Sequence, residues 1–266
     1  ALGSRMTTGL SVPAKLLAVL GAFSQEHAAY TVSELSRHTE LPLSTVHRLV
    51  RELERWGGLE RGSDRRYRIG LRFVEVAALC PRGIGLRDIA LPFMEDLYEA
   101  THQNVQLAVR EGLEGIYVER IAGRQAVPVL TRVGARWPLH ATGVGLVLLA
   151  HAPVEVRQRV LATPLQTFTP FTVGDPDVLR RMLAEVRRSG FSVSDRQITD
   201  DAYSVAAPIV DPTGHCTAAL SIVVPADDPG RASWAAAVRA AANGISRRIR
   251  DREPAAETWS ATHRSS

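Results

Sequence analysis

Residues 41–70 read LPLSTVHRLVRELERWGGLERGSDRRYRIG, and this stretch determines the predicted fold of the N-terminal region. Its first half has apolar residues at helical spacing with polar residues on the other side. It therefore predicts an amphipathic helix that starts at a Ser44 cap, runs to about Trp56 and ends at a double glycine. A turn then joins two short strands into an arginine-rich hairpin. The strands are predicted at residues 59–61 and 67–69, and the turn at 62–65.

Two further helices are predicted upstream of this stretch. Residues 12–25 have apolar side chains at helical spacing. Thr31 can cap a short helix that runs to about His38, because Glu34 three residues later completes a capping box. Three short helices followed by a basic hairpin form the pattern of a winged helix-turn-helix. An ordinary helix–hairpin corner of an enzyme is the alternative interpretation.

The positive charge of the chain is concentrated in the same region. The whole chain has a formal net charge of +4, and residues 44–72 contain 8 arginines against 4 acidic residues. Residues 81–266 contain 21 basic and 20 acidic residues, a difference of +1. A local basic surface on this fold predicts binding to nucleic acid, with the 44–56 helix in the major groove and the hairpin, or wing, on phosphates.

The candidate contact residues divide by the part of DNA they can reach. Short polar side chains at a helix start can approach base edges, whereas arginines can pair with guanine edges or neutralise phosphates. A merely solvated charged face is the alternative. The predicted DNA-binding residues are Thr31, Ser33, Ser44, Thr45, His47, Arg48, Arg51, Arg61, Arg65, Arg66 and Arg68.

The sequence pattern changes after the hairpin. Residues 71–79 predict a connecting helix, and the CPRG sequence at 80–83 predicts a hinge. From residue 86 onward, predicted helices and strands are mixed as in an antiparallel sheet covered by helices, which is the α+β class. The predicted strands are 105–109, 115–121, 127–131, 191–194, 204–210 and 217–224, and the last helix is 233–250.

Composition favours a cytoplasmic protein without a cofactor. No stretch approaches the roughly 18 uninterrupted apolar residues of a membrane helix, and no secretory signal is recognised at the start. Cys80 and Cys216 are the only cysteines and lie far apart, which favours a reducing compartment over a disulfide framework. We find no metal-ligand spacing, nucleophile elbow or P-loop, so no metal and no catalytic residue is predicted.

A second candidate site lies in the stretch PLHATGVGLVLLA at residues 138–150. Its helix is predicted to begin at Thr142. The free amides of Gly143, Val144 and Gly145 would then point out of the N-terminus and attract an anion such as a small carboxylate. The same glycine pair also fits a tight loop-to-helix turn with no ligand. The predicted ligand-binding residues are Thr142, Gly143, Val144, Asp195, Ser204 and Ser221.

Taken together, the two halves resemble the IclR family of bacterial transcriptional regulators over about residues 12–250. The motifs are TVSELSRHTELPLSTVHRLVRELERWGGLER, YRIGLRFVEVAAL, GARWPLHATGVGLVLLA and SDRQITDDAYSVAAPIVDPTGHCTAALSIVVP. The resemblance implies a winged-helix DNA-binding domain, a linker helix and an effector-binding α+β domain of GAF-like fold. It also implies dimers through the N-terminal part, often paired into tetramers through the C-terminal part. Positions that match Gly143, Val144, Ser204 and Ser221 line the family's effector pocket.

The chain departs from the family pattern around that pocket. Leu146 stands where many relatives have a lysine, Gln197 where many have a glutamate, and Asp201 where many have a glycine. Val223 replaces a small polar residue that contacts the effector in at least one branch of the family. We therefore expect one wall of the pocket to be more apolar than in those relatives. Such a wall favours an aromatic or branched acid over a small, highly polar one.

These inferences together predict a sequence-specific regulator, expected to be a repressor, that binds a palindromic operator as a homodimer or homotetramer. A small organic acid would modulate its affinity for double-stranded DNA. One alternative is an enzyme that acts on an organic acid or ester through the C-terminal domain, using His140 or a Ser204–Asp195 pair. Another is a sensor whose winged helix docks protein, with binding that hardly responds to salt.

The expected divisions are a cloning scar and disordered N-terminus at 1–11, a winged helix-turn-helix domain at 12–70, a linker helix and hinge at 71–85, an effector domain at 86–252 and a disordered tail at 253–266.

Overall fold

The computed structural model describes residues 10–24, 26–123, 126–231 and 233–262, with residues 253–262 described by their backbone alone. The chain divides into two compact units, Ala1–Pro81 and Arg82–Ser266, which are taken in turn. The boundary between them falls inside the predicted linker. The predicted scar and the last residues of the predicted tail lie outside the described residues.

The N-terminal unit has the predicted winged helix-turn-helix fold. The apolar stripe of its third helix is buried in one core with side chains from the first two helices and the hairpin. Thr31 and Glu34 form the predicted capping box at the start of the second helix. The elements are α1 (Val12–Gly21), α2 (Val32–Thr39), α3 (Leu43–Trp56), β1 (Leu59–Arg61), β2 (Tyr67–Ile69) and α4 (Arg72–Ala77).

Two helix boundaries in this unit differ from the prediction. α1 ends at Gly21, earlier than expected, because the chain turns where Ser24 and His27 exchange backbone hydrogen bonds. α3 begins directly after Pro42, which occupies the cap position and makes no side-chain cap hydrogen bond. Ser44 therefore lies inside the first turn and does not cap the helix, so this part of the prediction is wrong.

The C-terminal unit is built on a six-stranded antiparallel sheet with the order β5-β4-β3-β8-β7-β6. α5 and α9 pack over one apolar core on one face, and α6 and α8 pack over a second core on the other. This arrangement confirms the predicted α+β class. The strands are β3 (Asn104–Glu111), β4 (Glu114–Ile121), β5 (Arg136–Pro138), β6 (Ser192–Asp195), β7 (Ala202–Val210) and β8 (Cys216–Pro225). The helices are α5 (Leu86–Thr101), α6 (Gly143–Ala150), α7 (Val154–Ala162), α8 (Pro176–Ser189) and α9 (Trp234–Thr262).

Three predicted segments of this region take a different form. Residues 127–131 do not form a strand and instead run outside the sheet, and Pro128 within them has no amide to donate to a neighbouring strand. The helical backbone of α9 continues to Thr262 instead of ending at residue 250. A π-helical turn, Pro81–Gly85, overlaps the predicted hinge and leads into α5. In the described part of the chain, no helix has the length and apolarity needed to cross a membrane.

Candidate nucleic-acid interface and ligand site

The exposed face of α3 contains the residues predicted to reach DNA. Ser44, His47, Arg48 and Arg51 are exposed and lie at i, i+3, i+4 and i+7, so their side chains share one side of the helix. Thr45 beside them is half-buried, and the apolar positions on the other side are buried in the core. α3 therefore presents one continuous polar stripe.

The arginines of residues 44–72 fall into two sets. Arg48, Arg51, Arg61 and Arg65 are exposed and form no ion pair with any described residue. Arg65 stands in the wing turn, where its backbone is left-handed with φ of 60°. Each of the other arginines is paired with a carboxylate. Those pairs are Arg55–Glu52, Arg66–Glu34, Arg68–Asp64 and Arg72–Glu75.

Arg66 ties the wing to α2 and is half-buried. Its Nη2 lies 2.7 Å from Glu34 Oε1, and its Nη1 lies 2.9 Å from Glu34 Oε2 and 3.1 Å from the Ala29 carbonyl oxygen. A guanidinium with these partners has little capacity left for a phosphate. These bonds give Arg66 a structural role, and its DNA contact stays a prediction.

The remaining predicted contacts in this unit stay accessible. Arg68 Nη2 lies 2.6 Å from Asp64 Oδ2, and this pairing, with the Arg66 amide that also donates to Asp64, lowers the pKa of Asp64 to about 2. Because the pair is exposed, a phosphate can compete with Asp64 for the guanidinium. The Thr31 hydroxyl accepts the amide of Glu34 at 3.2 Å as a helix cap, and Ser33 is exposed in the first turn of α2.

The Glu34 carboxylate makes the N-terminal unit sensitive to acid. Its pKa lies below the usual value of 4.5, first because the Thr31 amide donates to it and further because of Arg66. The folded state thus favours the ionised form, so this stabilisation is complete above pH 4.5 and is lost as the pH falls through the lowered pKa. We expect the melting temperature of the wild type to fall more between about pH 6 and about pH 3 than that of Glu34→Gln.

Glu54→Gln is the matched control for this prediction. Glu54 is exposed on α3 and forms no ion pair with a described residue, so its removal should leave the pH profile of the wild type unchanged. Thermal melts followed by circular dichroism provide the measurement. Parallel profiles for wild type and Glu34→Gln would contradict the assigned role of the carboxylate.

A cavity of about 50 Å³ lies in the C-terminal unit between the start of α6 and the sheet. Its walls come from the α6-facing sides of several strands, from residues 127–131 and from the loop after β6. Of the predicted ligand-binding residues, Thr142, Gly143 and Ser204 line it, as does Val223. Gln197, another position where the chain departs from the family pattern, lines it too. The lining residues that were not predicted are Gln106, Tyr117, Val129, Leu130, Thr131, Ser194, Ile198, Thr199 and Ala202.

The start of α6 has two backbone amides without a partner beside this cavity, which Gly143 lines. Thr142 Oγ1 accepts the amide of Gly145 at 3.0 Å, which corrects the prediction that this amide is free. The amides of Gly143 and Val144 have no partner among the described residues. Ser204 lies beside them, since a methyl group on Gly143 would come 2.6 Å from Ser204 Oγ. Two amides and a hydroxyl at a helix N-terminus can hold a carboxylate.

The two glycines of this turn have different roles. Gly143 faces the cavity, whereas a side chain on Gly145 would meet the Leu139 carbonyl oxygen at 2.5 Å. Gly145 is therefore required by the packing of the preceding turn and not by a ligand. The Val144 side chain is buried in the α6 core, so only the amide of this predicted residue can reach a ligand.

The remaining predicted residues lie on different faces of the sheet. Ser221 is on the α6-facing side of β8, two positions from Val223, and its buried hydroxyl has no partner among the described residues. Asp195 follows Ser194, which lines the cavity, and because side chains alternate along a strand Asp195 points to the other face. Its carboxylate lies 2.9 Å from Arg196 Nε. The prediction that Asp195 contributes to the ligand site is wrong.

Two of the cavity residues that were not predicted, Gln106 and Tyr117, could have been recognised as polar residues within apolar strands. Gln106 is 2% exposed within a strand whose neighbours are apolar, and a buried polar side chain requires a specific partner. Tyr117 is buried as well, and this burial raises the pKa of its hydroxyl. Polar residues on otherwise apolar strands could thus have identified this wall of the cavity.

The side chains considered for catalysis either have a structural hydrogen bond or lie on opposite faces of the sheet. His140 is buried with Nε2 2.8 Å from the Gln166 carbonyl oxygen, and burial lowers its pKa. Ser204 and Asp195 lie on opposite faces of the sheet and cannot form the pair that the enzyme alternative needs. Among the described residues there is no group of three His, Cys, Asp or Glu side chains that could hold a metal ion.

A winged helix-turn-helix with a basic stripe, joined in one chain to an α+β unit with a cavity at a helix N-terminus, defines a transcriptional regulator of the helix-turn-helix class. Comparison with known families agrees. "IclR helix-turn-helix domain" matches residues 12–63, and "Bacterial transcriptional regulator IclR C-terminal" matches residues 81–247. The chain belongs to the IclR family of bacterial transcriptional regulators.

Individual relatives support the same assignment. The chain is 34% identical to the transcriptional regulator KipR of Bacillus subtilis over 78% of its own length and 83% of that protein. It is 32% identical to the transcriptional repressor AllR of Klebsiella pneumoniae, over 79% of its own length and 78% of that protein. The chain is also similar to an IclR homolog from Microbacterium hydrocarbonoxydans whose crystal structure is a complex with 4-hydroxybenzoate. The sequence identity is 40% and the TM-score is 0.86, over 90% of this chain and 99% of that chain. The Thermotoga maritima IclR structure is 27% identical with a TM-score of 0.73, covering 88% and 97%.

Proposed function

We propose that this protein is a cytoplasmic, sequence-specific repressor whose operator affinity changes when a small aromatic carboxylic acid binds the C-terminal unit. The observation that carries the DNA-binding part is the pairing pattern of the arginines. Arg48 and Arg51 on α3, with Arg61 and Arg65 on the wing, are exposed and have no carboxylate partner among the described residues. α3 would enter the major groove and the wing would lie along phosphates.

The nature of the effector is inferred from the cavity and from one relative. The amides of Gly143 and Val144 and the Ser204 hydroxyl are suited to a carboxylate, while Leu130 and Val223 contribute apolar wall suited to a ring. The Microbacterium hydrocarbonoxydans relative binds 4-hydroxybenzoate, an acid of this class. We take 4-hydroxybenzoate as the probe compound for this chain.

The proposed regulation depends on a difference in affinity. An effector changes operator binding only if it binds one arrangement of the DNA-binding units better than another, and its coupling free energy limits the change. A coupling of about 1–3 kcal/mol would alter operator affinity by roughly 5- to 150-fold. AllR is named a repressor, which supports the proposed direction of regulation.

We further propose a homodimer that recognises a palindromic operator. The N-terminal unit exposes large apolar side chains on α1 and around α4, with Leu17 66%, Leu71 70%, Val74 64% and Leu79 82% exposed. Apolar side chains exposed together commonly mark a protein–protein interface. A twofold dimer would present two α3 helices to half-sites about one helical turn apart.

Fluorescence anisotropy tests this function directly. A labelled duplex obtained by selection from randomised DNA would be titrated with the protein, with and without 4-hydroxybenzoate. 4-Hydroxybenzamide is the matched control, because it keeps the ring and removes the charge. We expect the acid, and not the amide, to change operator affinity by about fivefold or more. Failure to select any DNA sequence would contradict the DNA-binding part, and equal responses to acid and amide would contradict the carboxylate site.

A further inference from the structure

Residues 127–131, here called the strap, form a wall of the ligand cavity without joining the sheet. Three strap residues, Val129, Leu130 and Thr131, line the cavity. Side chains from β3 and β4 hold the strap in place. Asn104 Nδ2 donates to the Val127 carbonyl oxygen at 2.8 Å, Gln106 Nε2 donates to Thr131 Oγ1, and Arg120 Nη1 donates to the Thr131 carbonyl oxygen at 3.0 Å.

The attachments made by Asn104 and Gln106 are buried, and the attachment made by Arg120 is half-buried and connected to them. Asn104 and Gln106 are 1% and 2% exposed, so water does not readily replace the strap as their partner. Arg120 Nη2 lies 3.3 Å from Asn104 Oδ1, which links two of the three attachments. Loosening one of them should therefore weaken the others.

Arg120 holds the strap without a carboxylate of its own. The adjacent Glu119 side chain is bonded to Arg87, and Arg120 forms no ion pair with a described residue. Its Nε is buried without a hydrogen-bond partner, and burial lowers the pKa of the guanidinium. Among the described residues, the Arg120 guanidinium is thus hydrogen-bonded only to neutral oxygen atoms. Such bonds are weaker than those to a carboxylate.

The cavity is smaller than one that encloses an aromatic ring, so enclosing such a ring requires one of its walls to move. A cavity that takes a benzene-sized guest measures about 150 Å³, whereas this one measures about 50 Å³. Other walls consist of paired strands and the fully buried helix α6, which are costly to displace, and of the loop after β6, whose Arg196 and Gln197 carbonyl oxygens accept hydrogen bonds from Thr169 and Thr172. The strap has no strand pairing, and among the described residues its hydrogen bonds to the sheet are the three side-chain attachments, so opening it requires these bonds to break and the buried Val127 and Thr131 to be exposed.

We infer that Gln106 and Arg120 are positioning residues of the effector site, which hold the strap closed and set the rate at which an aromatic acid enters and leaves. This inference rests on the proposed function for the identity of the ligand. It implies that the strap opens each time the acid enters or leaves the cavity. The rates of binding, and not only the affinity, should therefore respond to the residues that hold the strap to the sheet.

Stopped-flow binding of 4-hydroxybenzoate tests the inference with isosteric variants. Thr131→Val and Gln106→Leu should each raise both the association and the dissociation rate by about fivefold, as expected for the loss of one hydrogen bond. The double variant should behave like either single variant, because both remove the same bond. Thr217→Val is the matched control, since Thr217 is exposed on β8 and does not line the cavity; its rates should equal those of the wild type.

A ligand-free measurement separates failure of this inference from failure of the proposed function. Arg132 is exposed directly after the strap, so brief trypsin treatment with mass spectrometry reports how readily the strap opens. Cleavage after Arg132 should be faster in Thr131→Val and Gln106→Leu than in Thr217→Val. Unchanged cleavage would overturn the inference even if the acid binds. Faster cleavage without any binding of 4-hydroxybenzoate would support the strap and reject the proposed ligand.

Discussion

Arg48→Ala should weaken operator binding by roughly 5- to 150-fold, the loss expected for one bidentate contact of about 1–3 kcal/mol. Arg48 is exposed on the polar stripe of α3 and has no ion pair or hydrogen bond to a described residue, so its guanidinium is available for a guanine edge or a phosphate. For the same reason, folding and oligomeric state should not change. Anisotropy on the selected operator gives the affinity, and thermal melts with sedimentation analysis give the other two properties.

Arg181→Ala is the control that separates position from charge. Arg181 is exposed on α8 and has no ion pair with a described residue, so its removal changes the net charge by the same amount. We expect its operator affinity to stay within about twofold of the wild type, because a single surface charge outside the contact face contributes little. Equal losses in the two variants would remove Arg48 from the set of specific contacts.

Gly143→Val should abolish effector binding and leave operator binding intact. Its first added carbon would lie 2.6 Å from Ser204 Oγ, and its branches would occupy the space in front of the amides of Gly143 and Val144. The N-terminal unit with its arginines is unaltered. Isothermal titration with 4-hydroxybenzoate should detect no heat of binding, while anisotropy on the operator should match the wild type and no longer respond to the acid.

Gly174→Val provides the matched glycine substitution in the same unit. An added carbon at Gly174 meets nothing closer than Thr167 Cγ2 at 3.5 Å, an ordinary contact, and Gly174 does not line the cavity. This variant should bind the acid as the wild type does. Unaltered calorimetric affinity in Gly143→Val would reject the assignment of the cavity, provided that thermal melts show both variants folded.

The N-terminal unit could be predicted well because its signals are local. The capping box of Thr31 and Glu34, the buried stripe of α3 and the hairpin all depend on residues a few positions apart. The role of Arg66 could not be predicted in this way. Its partner Glu34 is 32 positions away, so only the folded chain shows that this arginine is already occupied.

The C-terminal site was predicted only in part, and for a similar reason. The start of α6 at Thr142 is a local feature and was located correctly. That the Thr142 hydroxyl accepts the Gly145 amide depends on the detailed geometry of the turn and was not predicted. The face on which Asp195 lies depends on strand register, where a shift of one residue reverses the side. The strap was predicted as a strand, and Pro128 and the absence of a pairing partner among the described strands distinguish it from one.

The central claim is that Arg48, Arg51, Arg61 and Arg65 form a surface that neutralises DNA phosphates. The most direct test is the slope of log affinity against log salt for operator binding, compared between the wild type and the double variant Arg61→Ala/Arg65→Ala. We predict a steep negative slope for the wild type and a slope shallower by up to about 1.8 for the double variant, since each phosphate contact contributes about 0.9. A wild-type slope near zero, or identical slopes for the two proteins, would contradict the account.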